Sequence, residues 1–421
     1  MMMGIHDAEL AREIGGYSPL DRLLAEVAVQ VQLSPTDHQR ATGHADAIND
    51  WLDRDGSPLQ GKITLLYPQG SFANGSTVAR HSEADEFDID LMAQLDLPSN
   101  VDPELPLSLV ERAIRGERGS RYYDKVDRKT RCVTVNYAGL HLDVTPTIRL
   151  PATQERTGYI FHSKPEEPAE RKESLFANPW GMNEWFLERT KGDIAFGIFF
   201  ETLSRDYAKA LARAESDPIP DHIPAFRKPK PVIALQLTKR WRNLLFDREY
   251  PDRRRIPSVF LAYLFGRHAG PVRGSLADEL IHQVGAALVF IESAENQGRL
   301  IHAVNPRCAE DVLTDRWPAS RHDQQIIIAE MKAFLSDLET LRRGVPMVQM
   351  QRILTKLFGE RPTLEAVRQY ANAGQFTRPE STGLVVPQTG RIPTALTVLG
   401  ATATPASARP IPRHTSFGDP W

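Results

Sequence analysis

Phe87-Asp88-Ile89-Asp90-Leu91 alternates apolar with acidic residues without a break. A period of two is that of a β-strand, so Phe87, Ile89 and Leu91 share one face and Asp88 and Asp90 project side by side from the other. Two adjacent outward carboxylates repel each other and make a poor solvated strand face unless something neutralises them. The alternation therefore points to a cation as well as to a strand.

The flanking segments extend the pattern. Ile63 to Tyr67 is a short apolar run with strand character, broken by Pro68-Gln69-Gly70-Ser71, and a helix is expected over Phe72 to Val78. Cys132 to Asn136 and Leu140 to Thr147 read as a hairpin around Ala138-Gly139. In its second arm Leu140, Leu142 and Val144 face one way and His141, Asp143 and Thr145 the other, which supplies a third strand carboxylate. Glu83, Asp85 and Glu86 read as a solvated acidic loop with no assigned role.

Transfer of a nucleotidyl group to a hydroxyl needs the attacking oxygen, the phosphorus and the leaving pyrophosphate in line, with several negative charges neutralised at once. Two divalent ions roughly 3.5–4 Å apart do this. Asp88 and Asp90 can share both ions, and Asp143 can complete the one that activates the attacking hydroxyl. All-oxygen ligands suit Mg2+ or Mn2+ and argue against zinc. Gly70 and Ser71, after a strand and opening a helix, offer close backbone approach, a hydroxyl and helix N-terminal amides to a triphosphate. Each half is weak alone: Gly-Ser is also a common turn and helix cap, Asp-x-Asp occurs in sugar-nucleotide transferases and calcium loops, and Asp143 could be an ordinary partner of Arg149. Order, spacing and strand context together favour the catalytic reading.

With 51 basic and 54 acidic residues the 421-residue chain carries a formal charge of −3, a poor match to a protein that grips duplex DNA. Cys132 and Cys308 are its only cysteines, too few for a disulfide framework, which fits a reducing cytoplasm. Asp7, Glu9, Arg12 and Glu13 interrupt any signal-peptide core, and no stretch has the apolar length of a membrane span.

Ser34-Pro35-Thr36-Asp37 reads as the capped start of a long helix, with Ala41, Ala45, Ile48 and Leu52 at helical spacing. Pro151 to Ala177 is polar and proline-bearing. Helical periodicity then dominates: Ala234, Leu237, Trp241 and Leu244 form a stripe, and Leu276–Glu295, Gln324–Leu341 and Leu364–Ala373 follow. From about Phe376 the chain is rich in Thr, Pro, Gly and Arg without periodicity and reads as a flexible tail. The expected division is 1–175, a nucleotidyltransferase core with N-terminal helices; 176–375, a helical lobe; and 376–421, the tail.

Gly70-Ser71-Phe72, Glu86-Phe87-Asp88-Ile89-Asp90-Leu91 and His141-Leu142-Asp143-Val144-Thr145-Pro146 together resemble the CD-NTases, bacterial relatives of cyclic GMP-AMP synthase and oligoadenylate synthase that act in CBASS anti-phage signalling. The likeness continues through Asn178-Pro179, Gly181 and Glu184-Trp185-Phe186, and through Val304-Asn305-Pro306 to Trp317, with Asp311 standing where an asparagine is expected. The resemblance implies an α+β fold: a polymerase-β-like core of mixed sheet with a long N-terminal spine helix, joined to a helical lobe across a central cleft. It implies that Lys239 and Ser258, a lysine on one helix and a serine opening the next, contact the donor triphosphate alongside Gly70 and Ser71. It further implies a cyclic di- or trinucleotide product made from nucleoside triphosphates, ATP foremost, and a tail that docks a HORMA-type or ubiquitin-transferase-like regulator. Linear RNA tailing, small-molecule nucleotidyl transfer and a catalytically inactive scaffold are the alternatives that the same residues leave open.

Overall fold

The structure, a computed structural model, describes residues 18–79, 87–151, 153–166, 168–191, 228–270 and 274–376. The tail expected from about 376 and the acidic residues Glu83, Asp85 and Glu86 lie outside them.

Ser-Pro pairs open the first two helices, α1 (Pro19–Val31) and α2 (Pro35–Leu52). Ser18 and Ser34 accept from the amides of Asp21 and Asp37 at 3.1 and 3.0 Å, caps of the kind that contribute about 1 kcal/mol each. The sheet segment follows: β1 (Ile63–Gln69), a four-residue helix α3 (Gly70–Ala73), β2 (Phe87–Leu95), α4 (Glu104–Arg115), β3 (Val126–Arg128), β4 (Val133–Tyr137), β5 (Leu140–Arg149), β6 (Gly158–His162) and β7 (Glu173–Ala177). The strands form one sheet in the order β1-β2-β5-β4-β3, with β6 joined to β5 and β7 to β6. Only β2 and β5 run parallel among the described pairs, so the sheet is mixed.

Alternation decides which face is buried. Phe87, Ile89, Leu91, Leu140, Leu142 and Val144 pack with Ala41, Ile48 and Leu52 of α2 and Val110, Ala113 and Ile114 of α4, which leaves the polar face of β2 and β5 for the site.

The rest is mainly helical: α5 (Pro179–Arg189), α6 (Lys230–Glu249), α7 (Ser258–His268), α8 (Leu276–Asn296), the small hairpin β8 (Val304–Asn305) and β9 (Cys308–Val312), α9 (Arg321–Arg342), α10 (Met347–Phe358) and α11 (Glu360–Phe376). The expected stripe Ala234, Leu237, Trp241 and Leu244 is buried, and Trp241 stacks on Phe334 of α9 with ring centroids 4.4 Å apart. Burial extends well beyond that stripe, to Gln236, Thr238, Lys239, Arg240 and Arg242. Helix α1 belongs to this second core: Leu23, Leu24, Val27 and Val31 cluster with α6 and α8, whereas α2 packs on the sheet.

Two local expectations change. The helix expected over Phe72 to Val78 stops at Ala73, because the Asn74 carboxamide oxygen accepts from the Ser76 amide and hydroxyl at 3.1 and 2.6 Å and Gly75 turns at φ +73°. The polar stretch Pro151 to Ala177 contains β6 and β7, whose register pairs Gly158 with Ala177 and His162 with Glu173. Asp311, in place of the expected asparagine, accepts from the Asn178 amide at 3.0 Å and the Asn305 side chain at 2.8 Å, tying the small hairpin to the start of α5.

Candidate active site

Register brings the three aspartates together. Asp88 and Asp90 alternate on β2, and the parallel pairing sets Asp90 opposite Asp143 and Asp88 opposite His141 on β5. On the other edge of β2, Gln69 lies opposite Asp90, so the chain leaves β1 at Gly70 directly beside that carboxylate. Gly70 has φ +60°, and a Cβ there would lie 2.6 Å from Asp90 Oδ2. Both the backbone conformation and the available space require glycine.

Burial and crowding perturb Asp90. Asp90 is half-buried, and its pKa is pushed up to about 7, first by burial, then by Asp143 and Asp88, with Lys239 opposing. Thr134, opposite Asp143 on β4, donates its hydroxyl to Asp143 Oδ1 at 2.5 Å. Cys132 adjoins this carboxylate, and its thiol is held protonated by burial and by Asp143 and Asp90. It is therefore no nucleophile.

The opposing wall is basic. Lys239 on α6 is buried and donates to the Ser76 carbonyl at 2.8 Å. Its pKa is drawn down to about 7 by burial and then Arg242, against the pull of Asp90 and Asp88. Gln236, one turn earlier, donates to the Thr77 carbonyl at 2.8 Å, so α6 holds the turn that follows Ser71 at two carbonyls. Ser258 opens α7 directly after Pro257, and its hydroxyl accepts from Arg242 Nη1 at 3.0 Å, while the same nitrogen donates to the Ile256 carbonyl at 2.8 Å. Helix α3 packs against both β2 and α7, which places Gly70 and Ser71 between the acids and the Ser258 helix.

The structure thus gathers Asp88, Asp90, Asp143, Gly70, Ser71 and Lys239 around one turn, with Ser258 joined through α7 and Arg242. Arg242, Gln236 and Thr134 were not singled out from sequence. A signal for two of them exists: Gln236, Lys239 and Arg242 recur every third residue along the helix, a polar line on one face.

Among the described residues, no three His, Cys, Asp or Glu side chains are already gathered as a metal-ligand set. The donor chemistry fits a hard cation nonetheless: Asp88, Asp90 and Asp143 offer only oxygen, and the cost of ionising Asp90, set by burial and then by Asp143 and Asp88, is what a divalent ion would relieve. No helix among the described residues is long and apolar enough to cross a membrane.

Comparison with known proteins bears on the family and the fold. Residues 20–164 match the family described as the Second Messenger Oligonucleotide or Dinucleotide Synthetase domain. The cyclic dinucleotide synthase CdnG of Bradyrhizobium diazoefficiens is 33% identical over 411 residues, covering 95% of each chain. A c-di-GMP synthase of Roseivirga ehrenbergii is 24% identical over 377 residues, covering 88% of this chain and 92% of its own. The solved structure of the Bradyrhizobium CD-NTase CdnG in complex with GTP superposes with a TM-score of 0.71 at 30% identity, covering 83% of this chain and 98% of that one. A CdnC:HORMA-deltaN complex from E. coli MS115-1 shares the fold, with a TM-score of 0.50 at 15% identity, covering 80% of this chain and 96% of that one. Paired strand carboxylates beside a glycine turn, a lysine-bearing helix facing them and a full-length relative lead to one assignment: the chain is a nucleotidyltransferase of the CD-NTase family.

Proposed function

We propose that this enzyme condenses nucleoside triphosphates into a cyclic di- or trinucleotide messenger. The observation that carries the reading is the pairing of Asp90 with Asp143 beside Gly70, an acidic centre faced by Lys239. The cyclic product is supported by the full-length likeness to CdnG, a cyclic dinucleotide synthase.

In this scheme the donor triphosphate lies on Gly70, Ser71, Lys239 and Ser258. Lys239 places positive charge at the leaving end, and Asp143 stands on the side of the incoming ribose hydroxyl. That hydroxyl attacks the α-phosphorus, the bond from this phosphorus to the bridging oxygen of the β-phosphate breaks, and pyrophosphate departs. A second transfer of the same kind, or a third, closes the ring. Two Mg2+ or Mn2+ ions held by Asp88, Asp90 and Asp143 would supply charge neutralisation and lower the pKa of the attacking hydroxyl. ATP and GTP are both substrates to test, GTP because CdnG was solved with it.

The proposed setting is cytoplasmic anti-phage signalling. The segment after 376 is the proposed docking element for a regulator of HORMA or ubiquitin-transferase type, the former motivated by the CdnC:HORMA complex.

The test is to incubate the purified protein with labelled nucleotides and Mg2+, treat with phosphatase and identify the product by mass spectrometry. A phosphatase-resistant cyclic species is expected. Product that loses its label to phosphatase, or label appended to an added acceptor, would overturn cyclisation in favour of linear or small-molecule transfer.

A further inference from the structure

Asp143 has a buried hydroxyl as its partner. It lies on β5 between β2, which carries Asp90 opposite it, and β4, which carries Thr134 opposite it. Thr134 is 5% exposed, and its hydroxyl donates to Asp143 Oδ1 at 2.5 Å, at the short end for a hydroxyl bound to a carboxylate. Two residues earlier, just before β4 begins, Cys132 adjoins the same carboxylate. The first turn of the site is fixed by backbone and glycine; the third carboxylate is fixed by a neighbouring side chain.

A carboxylate on a strand turns about its last torsion with little resistance. The short hydrogen bond from Thr134 to Oδ1 restrains that freedom and, with the Cys132 thiol that also bonds this carboxylate, sets how it faces a cation or a hydroxyl. We infer that Thr134 is a positioning residue for nucleotidyl transfer: by holding Asp143 Oδ1 it orients the carboxylate that serves the attacking hydroxyl and sets the affinity of that carboxylate for the divalent ion. The inference rests on the proposed role of Asp143. Outer partners of metal-binding carboxylates typically change metal affinity or activity by about 10–100-fold when removed.

Thr134→Val keeps the volume and the β-branch and removes only the hydroxyl, while Thr134→Ser keeps the hydroxyl and removes a methyl group. The Val variant is expected to lower kcat about 10–100-fold with less change in KM for nucleotide, and to raise the Mg2+ concentration for half-maximal rate. Mn2+ titration followed by electron paramagnetic resonance, with a non-hydrolysable nucleotide present, should show weaker binding in the Val variant without any turnover. Thr134→Ser should recover most of both properties. Equal Mn2+ affinity and metal dependence in Thr134→Val and the wild type would overturn the inference, as would a Ser variant as impaired as Val. Should the Val variant not fold, the Ser variant and a Thr134→Ala variant, which removes the donor without adding bulk, decide on the same Mn2+ readout. Asp143→Asn separates the two levels. If Asp143→Asn is inactive while Thr134→Val behaves as wild type, this inference alone fails; if Asp143→Asn keeps full activity, the role proposed for Asp143 fails with it.

Discussion

The sheet and helix α6 meet the same turn with opposite chemistry. From the sheet comes Asp90, buried and then crowded by Asp143 and Asp88 until it resists ionisation. From α6 comes a lysine buried beside Arg242 until it resists protonation. Each wall is uncomfortable for the same reason, charge brought close to like charge and away from water, and each is only partly relieved by the other. The contrast fits the guest proposed above, which carries both signs, metal cations toward the acids and a polyphosphate toward the lysine; on that proposal the protein carries the strain before the guest arrives.

The harshest way to break this pairing is to neutralise the acidic wall. Asp90→Asn or Asp143→Asn should reduce product formation on the order of 10³-fold in steady-state assays, since charge stabilisation in the transition state is lost rather than mere binding. Retention of more than a tenth of wild-type rate would remove that carboxylate from the chemistry. On the basic wall, Lys239→Met should cost about 10²-fold in kcat/KM, with nucleotide affinity by calorimetry falling in parallel. An unchanged affinity would mean that Lys239 serves only as the staple on the Ser76 carbonyl.

Stability sharpens the contrast without turnover. The raised Asp90 pKa means that, with divalent ions chelated, this group favours the folded state fully below the usual carboxylate pKa and loses that contribution as pH rises through about 7. Asp90→Asn should therefore melt above the chelated wild type at pH 8, by about 2–4 °C, with the gap closing toward pH 4. A gap independent of pH would mean that the Asp90 pKa is not raised in the folded protein. The smallest expected effect is in protons. Near pH 7, divalent-ion binding should release about half a proton from Asp90 and nucleotide binding should take up a similar fraction at Lys239, read from binding heats in buffers of different ionisation enthalpy. Proton exchange of the same sign in both steps would contradict the opposition of the two walls.

Much of the site could be read from the chain because its acids lie on strands whose other face is apolar. Phe87, Ile89 and Leu91 announce the direction of Asp88 and Asp90, and Leu140, Leu142 and Val144 that of Asp143. Gly70 is legible for a similar reason, a glycine closing a strand. Less legible were features decided by distant partners. The strands β6 and β7 sit in a polar stretch because only Gly158, Phe161 and Ala177 along them are buried, and their pairing with β5 and with each other leaves no local period. Helix α6 is enclosed on nearly every side, so a single apolar stripe understates its burial and hides the line Gln236, Lys239 and Arg242. Helix α1, rich in Leu, Ala and Val, could join either core; its packing against α6 and α8 is a tertiary choice. Asn74 ended a helix early through its own side chain, an outcome weighed between two local hydrogen-bonding schemes of similar strength.

The parallel pairing of β2 with β5 has a consequence for how the enzyme comes into being. Fifty-three positions separate Asp90 from Asp143, so the chemistry does not exist in a nascent chain until β5 has emerged and crossed back to β2. A slip of one residue in that crossing would turn Leu142 outward and drive Asp143 into the packing of α2 and α4, a product too poor in buried apolar surface to persist. The greasy residues on the far side of the sheet thus act as proofreaders, and a folded copy of this protein is, by the same token, an aligned one.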